Sequence, residues 1–175
     1  MPVIVRELSD DAAVIFMVDS NLQRENILSS ERAAAYKMKL EAMKRQGMRT
    51  DLTSDQQGQK SVGKTSREML AAENKDSATQ IQRYIRLTEL QPELMKMVDE
   101  KKIAFTPAVE LSYLKPDEQR MLIDTIESEQ STPSLSQAQR MKKLSQSGEL
   151  DCDKLFSIMT EIKLRKMKFD CRRTF

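Results

Sequence analysis

The chain has no histidine and no tryptophan, and among 175 residues it has only two cysteines, four glycines, five prolines, three tyrosines and five phenylalanines. Each scarcity excludes something. Without histidine, the widely separated thiols of Cys152 and Cys171 cannot make the usual zinc ligand sets, and they read as reduced structural or surface thiols. So few rings argue for several small helical units and against one thick core. No apolar run approaches the roughly 20 residues of a membrane span, and Met1-Pro2-Val3-Ile4-Val5-Arg6 lacks the apolar h-region of a signal peptide. The expectation is a cytoplasmic protein with no membrane partner. A strong charge of one sign is also missing: the formal balance is +2, so any polyanion must be met by local clusters of basic residues.

What the chain does have is Leu, Ile, Met and Ala separated by Glu, Lys, Arg and Gln, side chains that lose little rotamer freedom in a helix. The predicted fold is therefore all-α, with at most one short N-terminal strand over the β-branched run Pro2 to Arg6. Ser9-Asp10-Asp11 caps a short buried helix through Ala12 to Val18. A polar connector, Asn21 to Asn26, leads to a longer helix capped by Ser29 or Ser30, with Ala34, Met38, Leu40 and Ala42 at helical spacing, ending near Gly47. From Met48 to Gly63 the composition reads as a flexible linker. Two helical stretches then run from Thr65 to Leu90, broken at Asn74-Lys75-Asp76, and Pro92 opens a helix that ends near Glu100. Thr106-Pro107 and Lys115-Pro116 predict helices near 107–114 and 116–129, and another runs from about Ser134 to Ser145 before Gly148. A last amphipathic stretch starts near Asp151 and becomes a basic tail. The resulting division is 1–47, the linker 48–63, a domain over 64–150 and a C-terminal helix and tail over 151–175.

The stretch from Thr65 to Leu87 has the parts of a helix-turn-helix. Ala71 is the small residue that lets the second helix cross closely, with Met69 and Leu70 beside it, Ser77 can cap the second helix, and Ile81, Tyr84 and Ile85 form its inward stripe. Lys75 stands where the turn usually has glycine, an unfavourable position for a side chain. If Ile81 and Tyr84 point inward, then Ser77, Ala78, Thr79, Gln82, Arg83 and Arg86 lie on the outer face and at the N-terminal end. Gln and Arg suit base edges in the major groove of duplex DNA, Ser and Thr suit phosphates, and Lys64 and Arg67 could add backbone contacts. The same alternation of Gln and Arg also makes an ordinary solvated helix face.

Four segments, in order and spacing, resemble ParB-type chromosome and plasmid partition proteins (the ParB/RepB family). They are Asn21-Leu22-Gln23-Arg24-Glu25-Asn26-Ile27-Leu28, the helix with Ala34-Ala35-Tyr36, Ile81-Gln82-Arg83-Tyr84-Ile85-Arg86-Leu87, and Lys102-Ile103-Ala104-Phe105-Thr106-Pro107-Ala108. Gln91-Pro92-Glu93-Leu94 and Thr132-Pro133-Ser134-Leu135-Ser136-Gln137-Ala138 also resemble stretches of that family, so the similarity spans about residues 3 to 150. The resemblance implies a nucleoid-associated protein that binds a centromere-like DNA site as a homodimer and works with a ParA-type ATPase.

Many members of that family also bind and hydrolyse CTP with Mg, and here the chain departs from the pattern. It starts near the last strand of the family's N-terminal subdomain and lacks its Gly-Glu-Arg-Arg-like phosphate-binding segment. Ser20 and Asn21 stand where the family has a Glu-Asn pair, although Arg24 matches the family's arginine. Asn21, Gln23 and Arg24 are thus a residual nucleotide motif or simply helix caps and surface contacts. The expectation is a DNA-binding protein and not an enzyme, with no cofactor, CTP and Mg belonging to a full-length homologue. Leu164 to Phe175 departs as well, reading as the basic tail of a truncated or frameshifted gene where the family has a dimerisation domain. A transcriptional regulator of a mobile element and a non-functional remnant are the alternative readings of the same residues.

Overall fold

The computed structural model describes residues 7–24, 26–50, 70 and 76–170. Among them eight helices and no strand are formed: α1 Asp10–Leu22, α2 Ser29–Thr50, α3 Ala78–Leu87, α4 Pro92–Asp99, α5 Phe105–Leu111, α6 Pro116–Glu129, α7 Leu135–Ser147 and α8 Cys152–Asp170. The fold is all-α, as the composition predicts. The expected strand Pro2 to Arg6, most of the expected linker and the final residues 171–175 lie outside the described residues. Two compact units, Met1–Ile85 and Arg86–Phe175, divide the chain inside α3. Among the described residues no helix is long and apolar enough to cross a membrane.

In the first unit, Ser9 Oγ accepts a hydrogen bond from the Ala12 N–H, and Asp10 and Asp11 follow in the first turn of α1, where a negative charge complements the helix dipole. The helix runs on to Leu22, so Asn21 and Leu22 belong to it and not to the connector. Nor is it a buried helix: Val18 is buried, but Phe16 is 59% exposed and Met17 47% exposed. Seven consecutive apolar residues wrap the whole circumference of a helix, and α1 packs chiefly on one neighbour, α2.

Asp11 near the start of α1 pairs with Arg45 at 2.8 Å, and Asp19 near its end pairs with Lys39 at 2.5 Å. Since the later acid meets the earlier base, the two helices run antiparallel. Lys39 is 1% exposed, a burial that its ammonium tolerates only because a carboxylate compensates it. Helix α2 starts at Ser29, after Leu28, whose N–H donates to Glu31 Oε2 at 3.2 Å. Ser29 and Ser30, expected as its cap, are the first two residues of the helix, and the Glu31 carboxylate serves the backbone at its start. Its buried stripe is Ala33, Tyr36 and Leu40 with Ala42, whereas Ala34 and Met38, expected inside, are exposed. The helix also continues through Gly47 to Thr50, since one glycine costs only about 1 kcal/mol in a helix.

In the second unit, α5 packs on α7, and α6 and α7 pack on α8. Their inward side chains include Leu94, Leu111, Leu122, Ile126, Met141 and Leu155. Pro92 and Pro116 occupy the first turns of α4 and α6 as predicted, where their missing N–H has no intrahelical partner to lose. Helix α5 starts earlier than expected, after Ala104, and ends at Leu111; Thr106 and Pro107 fall within its first turn. Proline is tolerated anywhere among those orphan donors, so its presence fixes a helix start only to within a residue or two. Ser134 and Gln137 form a reciprocal capping box at the start of α7, and Gly148 at φ +73° ends it.

Candidate functional site

Helix α3 is attached to α2 by its apolar side. Ile81 is fully buried in a cluster with Tyr36, Leu40 and Leu70, against which Tyr84 and Ile85 are partly buried. Of the expected first helix of the helix-turn-helix, only Leu70 is described; it is helical and fully buried. Lys64, Arg67, Met69, Ala71, Asn74 and Lys75 lie outside the described residues. At the start of α3, Ser77 Oγ accepts from the Gln80 N–H at 3.2 Å, the N-cap that the sequence implied.

With the apolar side fixed, helical geometry leaves the other side to polar residues. Ser77, Thr79 and Gln82 are exposed, and Ala78 and Arg83 are half-buried. These residues present two hydroxyls, an amide and a guanidinium along the N-terminal half of α3. Arg86 is placed differently. It belongs to the second unit, where its Nη2 donates to the Ser112 carbonyl at 2.9 Å and its guanidinium sits 4.3 Å from the centroid of the Tyr113 ring. Lys142 Nζ lies 3.7 Å from the same centroid and 2.7 Å from Glu110 Oε2. Arg86 Nε is buried with no hydrogen-bond partner. Arg86 thus fastens the loop after α5, a role that its spacing from Gln82 and Arg83 did not indicate.

A polar cluster that the linear pattern did not reveal stands directly before α3. Asp76 Oδ2 accepts from the Tyr36 hydroxyl at 2.6 Å and from Arg32 Nη1 at 3.4 Å. The Arg32 guanidinium also lies 5.5 Å from the centroid of the Tyr84 ring, which is itself 5.8 Å from that of Tyr36. Burial, then the hydrogen bond to Asp76 and its charge, push the Tyr36 hydroxyl well above the ordinary tyrosine range, with Arg32 opposing. It is a neutral donor. Asp76 read only as part of a helix break in the sequence, and nothing local signals partners 40 and 44 residues away.

Of the residual nucleotide motif, two residues share one groove and the third stands outside its lining. Asn21 and Arg24 line a groove of about 270 Å³ between α1 and α2, with Met17, Ile27, Glu31 and Met38 among the other lining residues. Gln23 caps the end of α1 and is not part of that lining. The hydroxyl of Ser20, which stands at the position of the family's acid, donates to the Phe16 carbonyl at 2.9 Å. Among the described residues no group of three or more acids or thiols is placed to hold a metal ion. No family model matches the chain, and no curated protein matches it.

Proposed function

We propose that the chain is a sequence-specific duplex-DNA-binding protein of the ParB type, reading the major groove with α3. The observation that carries this reading is the two-sidedness of that helix: Ile81 is buried in the α2 cluster while Ser77, Thr79 and Gln82 are exposed and Arg83 half-exposed. Hydroxyls at a capped helix start suit phosphates, and Gln and Arg one turn on suit adenine and guanine edges. Action in chromosome or plasmid partition, as a homodimer beside a ParA-type ATPase, rests on the resemblance of the segments quoted above. The proposed role is binding without CTP hydrolysis, because Ser20 offers no carboxylate where the family has one.

The test is selection of binding sites from random duplex DNA at near-physiological salt, with Arg83→Ala beside the wild type. The expected result is an enriched palindromic site whose sequence preference is relaxed in the variant. No enrichment would overturn the reading. A site found at the gene's own promoter, and not beside a partition ATPase gene, would replace partition by transcriptional regulation.

A further inference from the structure

We infer that Asp76, held by Tyr36 and Arg32, is a positioning residue that sets the angle and the local charge at which α3 meets DNA; this rests on the DNA-binding reading of α3. The geometry gives α2 two holds on the same helix. One is apolar, the packing of Tyr36 and Leu40 on Ile81. The other is polar and lies at the helix start, where the carboxylate next to the capping Ser77 accepts from both Tyr36 and Arg32. Apolar burial is non-directional, and a directional hydrogen bond at one end of the helix adds an orientation that burial alone does not specify. Base reading depends on it, because side chains must be held to within about half an ångström to keep their bidentate partners.

The charges carry the second half of the argument. A carboxylate before a helix N-terminus is favourable in the protein alone, but it would repel a phosphate drawn to the same N–H groups. Arg32 offsets that negative charge without itself lying on α3. The cluster therefore keeps the polar hold while limiting its repulsion of DNA.

The experiment compares full-length wild type with Tyr36→Phe, Asp76→Asn and Arg32→Gln, each below its unfolding transition as followed by circular dichroism. For each, the affinity for the selected site and for random duplex is measured over a series of salt concentrations. The expected result for Tyr36→Phe and Asp76→Asn is a loss on the order of tenfold in the ratio of specific to random affinity, the scale of one bidentate base contact. The slope of log affinity against log salt stays unchanged. A ratio that survives in both variants, with only the melting temperature lowered, assigns the cluster to stability and overturns the inference. A slope reduced by about 0.9 in Arg32→Gln makes Arg32 a direct phosphate contact and overturns its role as an offsetting charge. A wild type without any sequence preference overturns the DNA-reading role of α3, and this inference with it.

Discussion

The side-chain amide of Gln119, 1% exposed, joins two connections of the second unit, the one between α3 and α4 and the one after α5: its Oε1 accepts from the Gln91 N–H at 2.8 Å, and its Nε2 donates to the carbonyls of Glu89 at 3.2 Å and Leu114 at 3.1 Å. Gln91 is the N-cap of α4 and has no side-chain cap of its own. The glutamine on α6 therefore holds α4 at its start and closes the turn after α5. Replacing it by Leu removes the partner from the partly buried Gln91 N–H and from two carbonyls, of which the buried one of Leu114 is the costliest to leave unmade. Gln119→Leu is expected to destabilise the chain by about 2–4 kcal/mol. Urea unfolding of the two proteins checks it, and a loss below about 0.5 kcal/mol would show that water replaces the amide.

Lys101 offers a test of opposite sign. It sits at φ +59° just after α4, with its N–H donating to the Val98 carbonyl and the Lys102 N–H donating to that of Met97. These two bonds are the Schellman closure, whose left-handed position is usually glycine. Gly148 occupies the same conformation after α7, so the chain solves one geometry in two ways. Lys101→Gly is expected to raise stability by about 0.5–1 kcal/mol, the left-handed strain relieved less the entropy that glycine gains in the unfolded chain. An unchanged or lowered denaturation midpoint would mean that the lysine side chain contributes packing that offsets its backbone strain.

The raised pKa of the Tyr36 hydroxyl has a definite consequence in alkali. Because the folded-state value lies above the unfolded one, the group adds stability that is fully present below the unfolded pKa of about 10 and is lost as pH rises from there toward the folded value. In that window its slope is at most about 1.4 kcal/mol per pH unit. Tyr36→Phe is expected to be less stable than wild type near neutrality, by about 1.5–3 kcal/mol for the lost hydrogen bond to a charged acceptor. The difference should shrink above pH 10. A difference that stays constant through pH 11 would show that the hydroxyl ionises normally and that Asp76 does not hold it.

Helix existence was legible in the sequence and helix surroundings were not. Ser9, Ser77, Ser134, Pro92, Pro116 and Gly148 act locally, through caps and fixed φ angles, so the helix ends they mark stand where the pattern put them to within a residue or two, whereas the end of α1, which no such residue marks, runs four residues past Val18. Burial is a property of neighbours. The run Ala12 to Val18 is apolar enough for a core, yet Phe16 and Met17 stay exposed because α2 covers chiefly one side. In α2 the expected stripe of Ala34, Met38, Leu40 and Ala42 holds for Leu40 and Ala42, but Ala33 and Tyr36 take the inner places instead of Ala34 and Met38, and the partner of the tyrosine hydroxyl, Asp76, lies 40 residues away. Only the outer residues of α3 could be named as a candidate surface, because they follow by helical geometry once Ile81 points inward.

Arg83 and Arg86 lie three residues apart on the same helix, and the sequence treated them alike as base-reading arginines. The structure gives them different surroundings, so their substitutions are expected to separate two properties. Arg83→Ala should leave unfolding within about 0.5 kcal/mol of wild type, as for most surface changes, while costing about 1–3 kcal/mol in binding to a selected DNA site and relaxing preference at one base. Arg86→Ala removes the donor to the Ser112 carbonyl and the cation beside Tyr113, leaving Lys142 as the cation on that ring. Its cost should fall on stability, about 1–2 kcal/mol, with sequence preference in the folded protein retained. Paired urea unfolding and site-selection measurements on the two variants distinguish the roles. If Arg86→Ala instead relaxes base preference at unchanged stability, the Tyr113 cluster opens when DNA binds and Arg86 joins the reading face after all.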